Sequence, residues 1–363
     1  MLDDFLRVLN GETPEQIPWT ADLSYWISGQ KQAGKADAAW DSEEGYLQLH
    51  YELGVIPYYY YPRFWVGEPR YDESVTVAVT RRKATTQCTW TTPVGTLTET
   101  RAFMAESACE GVTRHPVSTP EDLNVLTYLI EHRHMEPVHL SDYRERCDLW
   151  AQYDGLPCLG LPRSGLPALC YEWTGLENFV YLMMDCETQV RALLDLMEEQ
   201  EVPIIEAVCE LAPPLVHFPD NLSSENLTGY YDDLLGPQHR HRLAALHRAG
   251  IKAAVHLDGT VRGLLPKLID AGFDAVEALT PAPVGDMSLK EIESMAKDSA
   301  TILWGGMPGA LFAAPWTWSD VEAHLEAFRH TWGTRPAILG VADQVPPDGD
   351  IEFIRRIGAS LRR

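Results

Sequence analysis

Positive charge is scarce in this chain: 29 Lys and Arg stand against 53 Asp and Glu, for a formal charge of −24 and a sequence pI near 4.8. No basic run is long enough to track a phosphate backbone, so nucleic acid and anionic membrane surfaces are poor partners. An apolar stretch of about 18 residues, the length a transmembrane helix needs, is also missing. Residues 1–7 carry no basic region leading into an apolar one, and the protein reads as cytosolic. The seven cysteines, Cys88, Cys109, Cys147, Cys158, Cys170, Cys186 and Cys209, include no C-x-x-C pair and read as reduced, mostly buried thiols. All of them precede residue 210, which argues against a thiolate site near the distant motif described below. Phosphate-cradling G-x-x-x-x-G-K-[ST] and G-x-G-x-x-G, the nucleophile elbow G-x-S-x-G and the zinc-protease signature H-E-x-x-H are absent too.

What is present is a globular composition. With 363 residues, 45% of them hydrophobic and 10% aromatic, the chain can bury a sizeable core. No Pro/Gly/Ser-rich linker or internal repeat divides it, so residues 1–363 are expected to form one domain. From residue 157 onward, apolar strand candidates alternate with amphipathic helices, the pattern of a parallel α/β fold. The candidates are 157–161, 215–219, 253–257, 275–279, 301–305 and 337–341, and 17–23 and 54–60 supply two more. The economical topology is an eight-stranded (β/α)8 barrel. Val190, Leu193, Leu194 and Met197 begin a long helix reaching Val208, where Pro203 is placed to kink it. Residues 74–104 differ: β-formers at 75–80 and 86–90, a turn at 93–96 and a return strand at 97–103 predict a β-hairpin inserted in the N-terminal third.

Chemistry concentrates at Val255-His256-Leu257-Asp258-Gly259. On a strand the period of two turns His256 and Asp258 to one side, and Gly259 lets the chain turn away, so the pair sits at a carboxyl strand end. Barrel active sites are built there. The other strand ends add Asp22 and Tyr25, Arg163, His217, Asp220 with Asn221, Glu277, Trp304 and Asp343. Such an acidic, imidazole-rich mouth suits divalent-metal ligation or general acid/base work. Plainer roles fit some of these residues: Asp258 and Asp220 as helix caps, His217 as a structural histidine. Glu277 lies in an apolar run where a lone carboxylate is costly, so it needs a partner, and His256 on a neighbouring strand is the nearest. The run Tyr58-Tyr59-Tyr60-Tyr61 carries hydroxyls that need polar partners, in a pocket or at a subunit contact such as a homodimer. Tyr171 is a second aromatic candidate. Gly305-Gly306-Met307-Pro308-Gly309 offers backbone amides to an anion.

Taken in order, Arg7-Val8-Leu9-Asn10-Gly11-Glu12 with Ile17-Pro18-Trp19, Thr92-Pro93-Val94-Gly95-Thr96-Leu97, Gly175-Leu176-Glu177-Asn178, His256-Leu257-Asp258-Gly259, Gly305-Gly306-Met307 and Val345-Pro346-Pro347 resemble the uroporphyrinogen decarboxylase superfamily. That group holds the decarboxylase itself and corrinoid-linked methyltransferases, which move a methyl group between a cobalamin protein and a thiol. The resemblance implies a (β/α)8 barrel with its site at the carboxyl mouth.

Two departures narrow it. The decarboxylase carries an arginine-rich segment after its Pro-Trp strand, whereas Thr20-Ala21-Asp22-Leu23-Ser24-Tyr25-Trp26 has no Arg; its Gly-His-Gly is replaced by Gly340-Val341-Ala342-Asp343. Haem biosynthesis is therefore not expected. The methyltransferases hold zinc with His-x-Cys and a distant Cys, which correspond here to His256-x-Asp258 and Asp343. Hard ligands replace soft ones, which widens the choice from zinc to other divalent metals or none. The resemblance implies a methyltransferase acting on a small molecule with a corrinoid protein as partner. His256, Asp258 and Asp343 would hold the metal, Glu277 would orient His256, and Trp26 and Tyr171 would wall the pocket. The alternative is a metal-free decarboxylase or lyase in which His256 or Asp258 protonates a carbanion; a third reading is a binding protein without catalysis.

Overall fold

The computed structural model describes residues 1–361. Seven parallel strands form one curled sheet: β1 (Trp19–Thr20), then, after the insertion, β8 (Leu159–Gly160), β9 (Leu215–Leu222), β10 (Lys252–Leu257), β11 (Ala275–Leu279), β12 (Ile302–Pro308) and β13 (Ala337–Ala342), ordered β1-β13-β12-β11-β10-β9-β8. Nearly every residue of β9 to β13 is buried, as expected where helices cover a parallel sheet and continuous apolar runs replace alternation. The eighth stave predicted at 54–60 is not a regular strand. Instead, residues 55–66 span the gap through isolated bridges, Thr20 to Ile56 on one side and Trp65 to Gly160 on the other. Its amides and carbonyls pair singly, as in Ile56 N to Trp19 O (2.8 Å) and Gly160 N to Phe64 O (2.8 Å). The result is a (β/α)8-type barrel.

Flanking helices are set by local signals. Helix Leu289–Ala296 starts on a Ser288/Glu291 capping box, and helix Leu265–Ala271 stops at Gly272, whose φ of +97° suits glycine. Helix Leu176–Leu211 leaves helical dihedrals at Cys186, not at the expected Pro203. No helix among the described residues is long and apolar enough to cross a membrane.

The expected hairpin is the centre of something larger. Four antiparallel strands, β3 (Thr76–Arg82), β4 (Thr85–Thr92), β5 (Gly95–Met104) and β6 (Cys109–Arg114), form a meander, and β2 (Gly67–Tyr71) pairs with β7 (Arg133–Pro137) at its root. Strands β2, β6 and β7 were not foreseen, because each is exposed or half-buried along nearly its whole length and no apolar alternation marks it.

Inside the barrel, the inward faces of the strands carry two layers. Leu215, Ala254, Ala275, Ile302 and Ile338 form an apolar floor, and helix Leu2–Leu9 inserts Phe5 against Trp304 from below, ring centroids 5.3 Å apart. Two residues further along each strand the same face presents His217, His256, Glu277 and Trp304. The floor is apolar and the layer above it is mostly polar.

One carboxyl on the outer shell is also confined. Glu201, on helix Leu176–Leu211, is 5% exposed, and burial, opposed by Arg242 and Arg133, lifts it to about 7. A raised carboxyl binds its proton more tightly when folded, so stability falls as pH rises from the unfolded value of about 4.3 to about 7. Chemical denaturation across pH 4–8 should show this decline, up to roughly 3 kcal/mol, in the native protein and its loss in Glu201→Gln.

Candidate active site

Register brings the site together. In the β10–β11 ladder His256 stands directly beside Glu277, and one strand over His217 aligns with Ala254, two residues below His256. The ladders slip next to these residues, between Val255 and Leu257 and between Val276 and Leu279. Such bulges re-aim side chains at barrel rims. Left-handed φ values at Asn221 (+50°), Ala278 (+62°) and Asp343 (+62°), all at or just past carboxyl strand ends, mark the same rim.

Glu277 is 1% exposed and fully engaged. Tyr58 donates to its Oε1 (3.0 Å) and Tyr59 to its Oε2 (3.2 Å), while His217 Nε2 (3.2 Å) and His256 Nδ1 (2.7 Å) also meet Oε2. Burial alone would raise this carboxyl, but the two imidazoles hold it well below the usual carboxylate range. For His256 burial opposes the charged form, and Glu277, aided by Asp258 and Asp343, outweighs it and raises the ring to about 9. His217 is shifted the other way by its burial. Its Nε2 also lies 2.5 Å from the Tyr59 hydroxyl, and its Nδ1 has no partner among the described residues.

His256 Nε2 faces the mouth, 3.9 Å from Asp343 Oδ1. Asp343 is raised to about 6 by burial and by the carboxylates around it, against the pull of His256. One ligand atom each from His256, Asp258 and Asp343 lies within 4.8 Å of the others. His217, His256 and Glu277 form a second group at that spacing, but its Glu277 oxygens are already bonded to four side chains. The first group therefore fits a divalent ion better. Glu277 on the far nitrogen of His256 fixes the tautomer and ring orientation as a metal-bound histidine requires.

These groups open into a cavity of about 600 Å³ lined also by His217, Tyr59, Tyr61, Trp65 and Arg163. Phe103, Ala108, Cys109 and Glu110 reach it from the β5–β6 turn, so the meander overhangs the mouth. Cys109 thus stands at the site despite its distance in sequence. All seven cysteines are free, two buried and five half-buried.

Six expected site residues do not line this cavity; Glu277 is one, held behind His256. Asp220 turns away, accepting from Ser164 N (2.8 Å), Ser164 Oγ (2.9 Å) and His239 Nε2 (2.8 Å), a buried cross-link. Trp304 is wholly buried in the barrel with Nε1 on Thr20 Oγ1 (2.8 Å). Trp26 donates to Gly349 O (3.0 Å), and its neighbours Ser24 and Tyr25 face the cavity instead. Asp22 lies beneath, accepting from Tyr61 (2.9 Å) and Ser24 N (2.8 Å). Tyr171 packs half-buried against the main core. Gly305 and Gly306 are no anion cradle: a Cβ on Gly305 would stand 2.6 Å from Leu279 N and one on Gly306 2.8 Å from Phe328, so both serve close packing. Three of the four tyrosines bond within the chain, Tyr58 and Tyr59 to Glu277 and Tyr61 to Asp22. The hydroxyls of Tyr58 and Tyr59 foreshadowed polar partners such as Glu277; the overhanging hairpin tip carried no signal.

The fold and mouth define a barrel with a His/carboxylate centre at its carboxyl end. Among solved structures the chain is similar to a methyltransferase from Methanosarcina mazei, at 13% identity over 99% of this chain and 97% of that one, with a TM-score of 0.60. It also has distant likeness, at a TM-score of 0.41 and 10% identity, to a putative vitamin-B12 independent methionine synthase from Listeria monocytogenes, covering 95% of each chain. The first likeness establishes the fold. No protein family and no curated protein matches the sequence.

The bonding pattern separates structural from site roles. Asp220→Ala should lower stability by about 2–4 kcal/mol, because it strands a buried imidazole and a hydroxyl. Tyr58→Phe and Tyr59→Phe should each lower it by about 1 kcal/mol, read from urea unfolding.

Proposed function

We propose that this protein is a methyltransferase moving a methyl group between a small molecule and a corrinoid protein, with a divalent ion held by His256, Asp258 and Asp343. The observation that carries the reading is that triad at the barrel mouth, with Glu277 fixed behind His256. The barrel shared with the Methanosarcina mazei methyltransferase is in keeping with it.

Bound there, a divalent ion would supply Lewis acidity, lowering the pKa of a thiol-like acceptor or polarising a methyl donor. The chain does the rest. Glu277 accepts from His256 Nδ1, so Nε2 is the atom turned to the mouth; Tyr58, Tyr59 and His217 keep that carboxylate charged and still. Asp258 and Asp343 supply negative charge opposite it. Tyr61, Trp65 and Phe103 give the substrate apolar walls and limit water beside the reacting atoms.

A second reading, a metal-free decarboxylase or lyase, is favoured by the same imidazole lying between two carboxylates, Glu277 at 2.7 Å and Asp343 at 3.9 Å, where it can hold a proton and deliver it from Nε2 to a carbanion. A uroporphyrinogen-like octa-acid remains a poor substrate: among the described residues Arg163 is the one guanidinium lining the cavity, and it is paired with Glu172 at 2.8 Å.

Metal analysis of the purified protein, His256→Ala and Asp258→Asn tests the proposal, together with methyl transfer from methylcobalamin to a small thiol followed by cobalamin absorbance. One divalent ion per chain, at least tenfold weaker in both variants, and metal-dependent demethylation are expected. Wild-type protein that takes up no ion and transfers no methyl group would sink the proposal in favour of the second reading.

A further inference from the structure

A second cavity of about 400 Å³ lies under the meander, beyond the wall that Trp65 and Arg163 share with the mouth. Its lining comes from five places: β4 and β5 of the meander, the β2–β7 pair at its root, Pro162 and Arg163 after β8, helix Leu176–Leu211 and the short helical segment Leu169–Thr174. That size is at the low end of small-molecule pockets.

Its walls are largely apolar, with Tyr71, Trp90, Trp173, Met135 and Met197, and the two tryptophan rings touch at 5.3 Å between centroids. Between them sit charged groups that are only partly satisfied. Arg101 is paired with Glu99 (2.6 Å) and Arg163 with Glu172 (2.8 Å). Arg133 Nη2 stands 3.7 Å from Glu201 Oε1, too far for a hydrogen bond. Among the described residues, four buried atoms of this lining have no partner: the donors Arg133 Nη2, Arg163 Nε and Trp173 Nε1, and the acceptor Glu201 Oε2. Buried polar atoms are seldom left so, and four around one cavity call for a ligand that completes them.

Three donors to one acceptor fix the ligand's polarity. We infer that this cavity is a binding site for a small organic carboxylate with an aromatic or bulky apolar body, its carboxylate meeting Arg133, Arg163 and Trp173 and its body lying against Trp90, Tyr71 and the two methionines. A carboxylate offers about four lone-pair sites, enough for the three N–H groups. Glu201, raised to about 7, carries a proton through much of the neutral range, which relieves its repulsion of an anion and turns it into a further donor. The acidic mouth next door would repel the same ligand. This inference does not rest on the methyltransferase reading.

Phenylacetate is the probe, with phenethylamine and 2-phenylethanol as cationic and neutral counterparts. Trp65, Trp90 and Trp173 report occupancy by fluorescence, and calorimetry on the full chain gives stoichiometry. One saturable phenylacetate site is expected, at least tenfold weaker in Arg133→Met, several-fold weaker in Trp173→Phe, and unchanged in the mouth variant Asp258→Asn. Trp173→Phe removes the N–H while leaving a smaller aromatic ring in the wall, so it remains informative if Arg133→Met does not fold. Absence of saturation, equal binding of the amine or the alcohol, affinity unchanged in Trp173→Phe, or loss of binding in Asp258→Asn would each overturn the assignment.

Discussion

The geometry of the mouth depends on one buried carboxylate. Glu277 is out of water in the middle of a parallel strand, where an uncompensated charge would cost several kcal/mol. Four side chains from three parts of the chain offset that cost: two tyrosines from 55–66, His217 from β9 and His256 from β10. The stretch 55–66 forms isolated bridges and a few single backbone hydrogen bonds, such as Leu156 N to Pro57 O and Cys158 N to Tyr58 O, but no regular ladder. Its position as the eighth stave is therefore secured by side chains, through Tyr58 and Tyr59, as much as by a hydrogen-bond ladder. Barrel closure and orientation of the reactive imidazole are consequences of the same bonds.

Polarity changes over one residue pair along each strand. Leu215 gives way to His217, Ala254 to His256 and Ala275 to Glu277, while Ile302 gives way to Trp304, whose Nε1 is satisfied by Thr20. A barrel interior can hold charge at only one end, since the other must pack dry against Phe5 and the floor. The bulges and left-handed residues at the rim are the backbone's accommodation to that change.

Much of this was legible in the sequence. Apolar runs marked all seven strands of the main sheet within a few residues, and His256-x-Asp258 announced the site because strand periodicity puts both side chains on one face. The cost of burying a carboxylate pointed from Glu277 to His256 before any coordinates did. Less legible was whatever depended on contacts distant in sequence. Asp220 looked like a site residue because it stands near a strand end, and Trp26 because the resemblance implied a pocket wall, yet the side chains bond away from the mouth, to His239 and to Gly349. Overhanging a site leaves no period in the sequence, so nothing marked the tip of the β5–β6 hairpin, from which Cys109 reaches the mouth.

Arg163 lies between the mouth and the cavity under the meander, and its surroundings explain how a chain of charge −24 can present opposite faces to ligands a few residues apart. Its guanidinium lies 5.4 Å from the centroid of the Trp65 ring and pairs with Glu172, so its charge is balanced while its Nε–H stays unused. On the mouth side, Asp258 and Asp343 leave negative charge in excess, which favours cations. Under the meander Arg101 and Arg163 are each matched by a carboxylate, while Arg133 faces a Glu201 that carries a proton through much of the neutral range, so the surplus lies mainly in N–H donors. Long-range attraction of anions is weak for so acidic a protein, so selection there must come from short-range hydrogen bonding inside a dry aromatic wall, where such bonds are strongest. The antiparallel sheet supplies that wall. Covering the cavity is a physical reason for an insertion that the barrel itself does not need.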